Sequence, residues 1–271
     1  MLFQKYTLCV RERCNVPHIS YSELKQWTEC TWRHKLLYVD RVESFQGNEH
    51  TSFGTAVHET IEQMLIGNVS DPYECFNKKF NELLEGLDLL DSNLANTMRQ
   101  EVIGIFEAVV PSLDDYFSDR GGWSLMAAEQ ALKEPVTESK IGGYDFKGFI
   151  DLVVKDGQGH YHVIDWKTCS WGWNARKKND SVFTRQLVYY KYYYSKKFGL
   201  NPRAISTHFG LIKRTAKKDR IELFRVTSGE RKTKNSLDFL DKALYNITNK
   251  RYIKNRLSCK YCPFYETAHC P

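Results

Sequence analysis

Two short apolar runs joined by a five-residue turn constrain this chain more than any other feature. Residues 146–154 (Phe-Lys-Gly-Phe-Ile-Asp-Leu-Val-Val) and 160–166 (His-Tyr-His-Val-Ile-Asp-Trp) are rich in aromatic and β-branched residues, with Lys155-Asp-Gly-Gln-Gly159 between them. Two glycines where the chain must reverse, flanked by strand formers, predict a β-hairpin in which the glycines supply positive φ. The hairpin carries Asp151 and Asp165 inside its apolar runs, and Lys167 follows two residues after Asp165. Side chains alternate faces along a strand, so Asp165 and Lys167 point to one side, and Asp151 on the partner strand can reach the same spot. Two carboxylates converging on one point repel unless a cation sits between them. Magnesium or manganese, hard cations that take oxygen ligands, fit this set. An Asp near a strand end is also an ordinary turn residue, and Asp-x-Lys an ordinary surface pair. Asp165 tips the balance, because it stands between Val163-Ile164 and Trp166, where a charge needs a partner or a metal.

Two helices add to this set. Phe53-Gly54-Thr-Ala-Val-His58 opens an amphipathic helix carrying a histidine. Gln186-Leu-Val-Tyr-Tyr190 lies on another helix, whose apolar residues at 183, 187, 190, 194 and 198 form a buried stripe. Tyr190 belongs to that stripe and Gln186 to its edge. Taken in order, Gly54…His58, Glu129, Gly148-x-x-Asp151, Asp165-x-Lys167 and Gln186-x-x-x-Tyr190 resemble the PD-(D/E)XK nuclease superfamily. The spacing is similar to its RecB-like branch, with the CRISPR-associated RecB-like exonucleases and the AddB nuclease domain, over roughly residues 20–270. The resemblance implies that His58, Asp151, Asp165 and the backbone carbonyl of Trp166 ligate a catalytic Mg²⁺ or Mn²⁺. It implies that Lys167 orients or deprotonates the attacking water, that Gln186 and Tyr190 position nucleic acid and helix, and that Glu129 is a supporting carboxylate. Many relatives carry Glu where this chain has the shorter Asp165.

Eight cysteines are present, and three of them close the sequence as Cys259-x-x-Cys262 and Cys270. Cys-x-x-Cys lets two thiolates reach one metal, and the following loop can return a third. With Cys30 as the fourth, this pattern resembles the iron–sulfur nucleases of the same branch, which hold a [4Fe-4S] cluster. Thr31 stands where those relatives usually have proline. A structural Zn²⁺ site using His269 remains the alternative. Either metal would clip together the two ends of the sequence. The opening Met1-Leu-Phe-Gln-Lys-Tyr lacks a basic start and an apolar run, so a cytoplasmic rather than secreted protein is expected, in a bacterium or a phage-infected host, where thiols stay reduced.

Charge is distributed unevenly. Residues 171–234 hold 17 Lys and Arg against 4 Asp and Glu, +13, whereas the whole chain carries +6, leaving −7 for the remainder. Trp171, Trp173, Arg176, Lys177, Lys178 and Arg185 bring aromatic and basic residues together just after Lys167, in a segment able to stack bases and attract phosphates. No run of apolar residues is long enough for a membrane span. The predicted elements are a helix over 20–39 opened by a Ser20–Glu23 capping box, helices over 53–66, 72–86 and 92–118, and a strand over 124–134. The hairpin follows, then a helix over 182–198, strands over 205–213 and 220–226, and a helix over 229–250. They predict an α/β fold: a mixed sheet flanked by helices with a restriction-endonuclease-like core, a helical N-terminal insertion and a C-terminal cysteine clip. The linear division, within one compact unit overall, is residues 1–122, mainly helical and contributing His58 and Cys30, 123–250 as nuclease core, and 251–271 as the cysteine segment. The expected activity is metal-dependent DNA cleavage, as an exonuclease on single strands or duplex ends in recombination, repair or phage DNA metabolism. A helicase or recombination partner would suit such work. The alternatives are a structure-specific endonuclease and a non-catalytic nucleic-acid-binding module with a zinc clip.

Overall fold

The computed structural model describes residues 16–43 and 47–271; Cys9 and Cys14 lie outside them. In chain order the elements are β1 (His18–Ser20), α1 (Tyr21–Glu29), α2 (Thr31–His34) running into a π turn (Lys35–Val39), α3 (Glu49–Leu65), α4 (Pro72–Glu85), α5 (Ser92–Glu101) and α6 (Ile105–Phe117). There follow β2 (Trp123–Pro135), β3 (Asp145–Asp156), β4 (Tyr161–Cys169), α7 (Ala175–Asn179), α8 (Ser181–Phe198), β5 (Ile205–Lys213), β6 (Ile221–Val226) and α9 (Glu230–Thr248), then a 3-10 turn (Arg256–Tyr261). The residues fall into two compact units, each assembled from separated stretches: 47–131 with 149–233, and 16–43 with 132–148 and 234–271.

In the first unit β3 pairs with β4 antiparallel, Leu152 facing Ile164. β4 pairs with β5 parallel and β5 with β6 antiparallel, while β2 borders β3. The connections explain the mixture. A short turn returns the chain antiparallel between β3 and β4, whereas α7 and α8 carry it back so that β5 runs alongside β4. Phe53, Ala56, Phe76, Phe80, Val109 and Phe117 from α3, α4 and α6 pack with Leu152, Ile164, Trp166 and Ile212 in one apolar core. On the other face α8 packs against β4 and β5, burying Leu187, Tyr189 and Tyr193. The predicted α/β architecture, a mixed sheet between helices, is what the chain forms. In the second unit β1 pairs in parallel with the first residues of β3, Ile19 facing Phe146, and Trp27 meets Phe239 of α9 edge-on at 5.4 Å.

The expected helix over 20–39 breaks at Cys30, whose backbone is extended (φ −161°, ψ 116°). Only half of the predicted capping box forms there. Ser20 Oγ accepts the Glu23 N–H at 3.2 Å, but the Glu23 carboxylate meets His34 Nε2 at 2.8 Å instead. The expected helix over 92–118 is two helices, because Gly104 takes φ +80° between them and gives its N–H to the Tyr73 hydroxyl at 2.8 Å. In the hairpin turn Gly159 has the positive φ, +86°, and Gly157 does not. Gly157 is needed for space: a Cβ there would lie 2.5 Å from the Gly121 carbonyl oxygen.

Asp156 holds the hairpin turn, accepting the N–H groups of Gln158 at 3.0 Å and His160 at 2.8 Å. It also ends a buried hydrogen-bonded chain. A carboxylate only accepts, so His162 donates to it through Nε2 (3.0 Å); His162 Nδ1 then accepts from His208 Nε2 (2.9 Å), and His208 Nδ1 accepts from the Tyr116 hydroxyl (3.0 Å). Burial lowers the pKa of both histidines, which keeps them neutral and the proton order fixed. The chain ties α6 to β3, β4 and β5, and the buried Asp156 carboxylate at its end is held ionised by the hydrogen bonds it accepts from His162, His160 and Gln158. Among the described residues no helix is long and apolar enough to cross a membrane.

Candidate active site

The site is built where α3 meets the hairpin, entirely within the first unit. α3 begins in a complete capping box: the Asn48 side chain accepts the Thr51 N–H, and Thr51 Oγ1 accepts the Asn48 N–H. Its Phe53, Ala56, Val57 and Ile61 turn into the core. That leaves Thr55, His58, Glu59, Glu62 and Gln63 to line a cavity of about 370 Å³ with Glu129, Asp151 and Trp166. Gly54 lets α3 come close to β4, since a Cβ there would sit 3.1 Å from Thr168 Oγ1.

Asp165 is only 1% exposed and is ion-paired with Lys167. Asp151 Oδ2 accepts the Trp166 N–H at 2.7 Å and stands 3.6 Å from His58 Nδ1. Burial pushes both carboxylates up to about 6, with Lys167 opposing the rise and the neighbouring Asp151 charge adding to it at Asp165. Burial, then the Lys167 ammonium, lowers His58 to about 4, so its ring is neutral at pH 7. A neutral imidazole beside two carboxylates that resent being ionised without a partner is a donor set that fits a divalent cation. Among the described residues no three His, Cys, Asp or Glu side chains yet converge in a ligating arrangement, and the Lys167 ammonium is the cation against Asp165.

Gln186 Nε2 donates to the Tyr190 hydroxyl at 2.9 Å. Tyr190 is 6% exposed, and its pKa is driven up by burial and by the Asp165 charge. The tyrosine is thus both part of the buried stripe and close behind the carboxylates. Glu129, the supporting carboxylate expected from the sequence, lines the cavity from a backbone at φ +47°, the left-handed region that non-glycine residues rarely occupy. It is hydrogen-bonded to Glu62, which burial and this contact raise to about 7. Glu62 is the residue that the sequence reading passed over. Its signal was present, because His58-x-x-x-Glu62 puts both side chains on one helix face.

The basic segment divides into engaged and outward-facing residues. Trp171 is 77% exposed, and Arg176 is exposed. Trp173 packs against Phe183 at 5.1 Å and Phe209 at 5.2 Å, with Lys177 above its ring at 4.6 Å. Lys178 is ion-paired with Glu222, and Arg185 is half-buried. The segment is held at its start: Arg214 N–H reaches the Cys169 carbonyl at 2.8 Å, and Thr215 Oγ1 reaches that of Ser170 at 2.8 Å.

In the second unit Cys30, Cys259, Cys262 and Cys270 line one small cavity, all as free thiols. The extended backbone at Cys30 places its Sγ to accept the Asn255 N–H at 3.3 Å. Thr31 Oγ1 accepts from Ile253 N–H at 2.6 Å and donates to the Ile253 carbonyl at 3.0 Å, bonds a proline could not make. His269 is exposed; its carbonyl accepts from Trp32 Nε1 at 3.1 Å. Cys75 and Cys169, in the first unit, are half-buried.

Comparison with known proteins bears on both fold and family. The family model of the PD-(D/E)XK nuclease superfamily matches residues 18–268. A solved structure described as "Putative exonuclease" from Eubacterium rectale superposes with a TM-score of 0.58 at 12% identity, covering 94% of this chain and 90% of that one. A second, SSO0001, gives a TM-score of 0.37 at 14% identity, covering 78% of this chain and 92% of that one. No curated protein matches the chain. The likeness to the first solved structure is one of fold.

The raised carboxylates would make divalent-cation binding at this site pH-dependent. As ligands, Asp151 and Asp165 would have to shed their protons, and both are held near 6, whereas His58 stays neutral down to about 4. Mn²⁺ affinity is therefore expected to be level above pH 7 and to fall below pH 6, by up to about 100-fold per unit when both carboxylates take up protons. Titration calorimetry at pH 7.5, 6.0 and 5.0 measures this; an affinity unchanged between 7.5 and 5.0 would contradict it.

Proposed function

Since the chain belongs to the PD-(D/E)XK nuclease superfamily, we propose that it is a metal-dependent deoxyribonuclease of the RecB-like branch, an exonuclease acting on single-stranded DNA or duplex ends in recombination, repair or phage DNA metabolism. The observation that carries this reading is the meeting of Asp151, Asp165 and Lys167 on one hairpin with His58 of α3, beside an acid-lined cavity. His58, Asp151, Asp165 and the Trp166 carbonyl would hold Mg²⁺ or Mn²⁺. A divalent cation, when bound, makes water more acidic and relieves charge on the phosphate. Lys167 orients the attacking water and offers positive charge to the phosphate oxygens. Asp165 keeps that ammonium in place. Gln186 and Tyr190 buttress the carboxylates from behind, and Glu129 with Glu62 closes the cavity opposite. Trp171 and Arg176 face solvent just beyond β4, able to stack a base and meet a phosphate, with Trp173, Lys177, Lys178 and Arg185 supporting them.

The four cysteines take a [4Fe-4S] cluster in this reading. Their common cavity, free thiols and the N–H donated to Cys30 Sγ support four-thiolate ligation over a zinc site using His269, because His269 lies outside that lining. The cluster is structural, closing the long loop between Cys30 and Cys259 and so reducing the entropy of the unfolded chain.

Incubation of single strands labelled at either end, with Mg²⁺ or with EDTA, tests the activity. Wild type is expected to shorten strands from one end only with metal present, and Lys167→Ala to lose at least about 100-fold in rate. Equal rates for wild type and variant would remove the catalytic assignment. For the cluster, anaerobically purified protein is expected to be brown and to absorb in the violet–blue. A colourless protein with stoichiometric zinc refutes it.

A further inference from the structure

Gly210 stands in the middle of β5, a strand buried over Ile205–Ile212, with Phe209, Leu211 and Ile212 fully buried around it. Glycine weakens a strand interior, because it has no side chain to pack and loses the most backbone freedom on folding. Nothing in its conformation requires glycine, since its φ is not among the positive values. What requires it is Trp166. The two residues face each other in register across the parallel β4–β5 pair, and a Cβ on Gly210 would lie 2.2 Å from Cε3 and from Cζ3 of the indole. The ring therefore lies across the backbone of β5 at the one place where no side chain stands. It is 1% exposed and packed into the core with α3, α4 and α6, so it has nowhere to swing.

Trp166 is also the residue between Asp165 and Lys167, and its N–H is the one that Asp151 Oδ2 accepts. We infer that Gly210 is a positioning residue of the metal site: by admitting the indole it fixes the peptide that carries Asp165, Lys167 and the Trp166 carbonyl, and aims the Trp166 N–H at Asp151. This inference rests on the nuclease reading only in supposing that Asp151 and Asp165 hold a divalent cation. A glycine that merely relieves crowding would, when replaced, cost stability and leave the metal site alone.

Gly210→Ala, Trp166→Leu and the double variant separate the two roles, with Mn²⁺ affinity by calorimetry, thermal melting and strand cleavage as readouts. Leucine lacks the ring atoms that a Cβ at 210 would strike. Gly210→Ala is expected to melt cooperatively but to bind Mn²⁺ about 10- to 100-fold more weakly, as losses of supporting groups around metal ligands do, with cleavage falling in step. The double variant is expected to recover to the affinity of Trp166→Leu alone. Wild-type Mn²⁺ affinity in a folded Gly210→Ala, or a double variant weaker than Trp166→Leu alone, overturns the inference. Should Gly210→Ala fail to fold, Trp166→Leu decides: weakened Mn²⁺ binding is expected, and unchanged binding overturns it. A wild type that binds Mn²⁺ without cutting any strand sinks the nuclease reading but leaves the Mn²⁺ comparison to judge Gly210. A wild type that does neither overturns both.

Discussion

A carboxylate 1% exposed inside an apolar strand is the constraint around which the first unit is organised. An ionised Asp165 in that position loses most of its hydration, a cost of several kcal/mol unless another charge replaces the water. Lys167, two residues along the same strand face, supplies part of that charge. Asp151 makes the deficit worse, because it brings a second negative charge to the same place. Such an arrangement is strained without a further cation and well suited to holding one. Positions that break local preference cluster around the same spot: a glycine where α3 touches β4, a glycine under Trp166, and Glu129 in a left-handed backbone.

The rest of the unit is the rigid frame such a site needs. Side chains set on strands and a helix are held more firmly than those on loops, and of the candidate site residues all but Glu129 come from regular backbone. The Asp156–His162–His208–Tyr116 chain fixes the far end of the same strands, with one carboxylate whose charge is met by hydrogen-bond donors and two histidines kept neutral by burial. At the candidate site two like charges, Asp151 and Asp165, are instead brought close to each other.

Much of this was legible in the sequence because the signals were local. Strand-forming residues on both sides of a glycine-bearing turn gave the hairpin, and β5 falls on residues 205–213 as expected. Asp151, Asp165 and Lys167 were named from the strands, and His58, Gln186 and Tyr190 from the family resemblance; the structure brings them near one another. The break at Cys30 was not legible, because helical periodicity continues through it and its cause, the contact with residues 253 and 255, is more than two hundred residues away in sequence. Gly104 was missed for a similar reason: a single glycine in an apolar stretch does not announce positive φ. The use of Gly157 and Gly210 for space depends on Gly121 and Trp166, which only the folded chain brings near. Glu62 could have been found, since its spacing from His58 was visible, but a glutamate on a helix surface is ordinary until the neighbouring strands add Glu129.

The most direct test is thermal melting of wild type and Asp165→Asn at pH 7.5, each in EDTA and in Mg²⁺. Asp165 has a folded pKa, about 6, above its unfolded value, so above pH 6 its ionised form costs stability in the metal-free protein, and removing the charge relieves that cost. Asp165→Asn is expected to melt higher than wild type in EDTA, while Mg²⁺ raises the melting temperature of wild type and not of the variant. A variant less stable than wild type in EDTA, together with a wild type indifferent to Mg²⁺, would contradict the account.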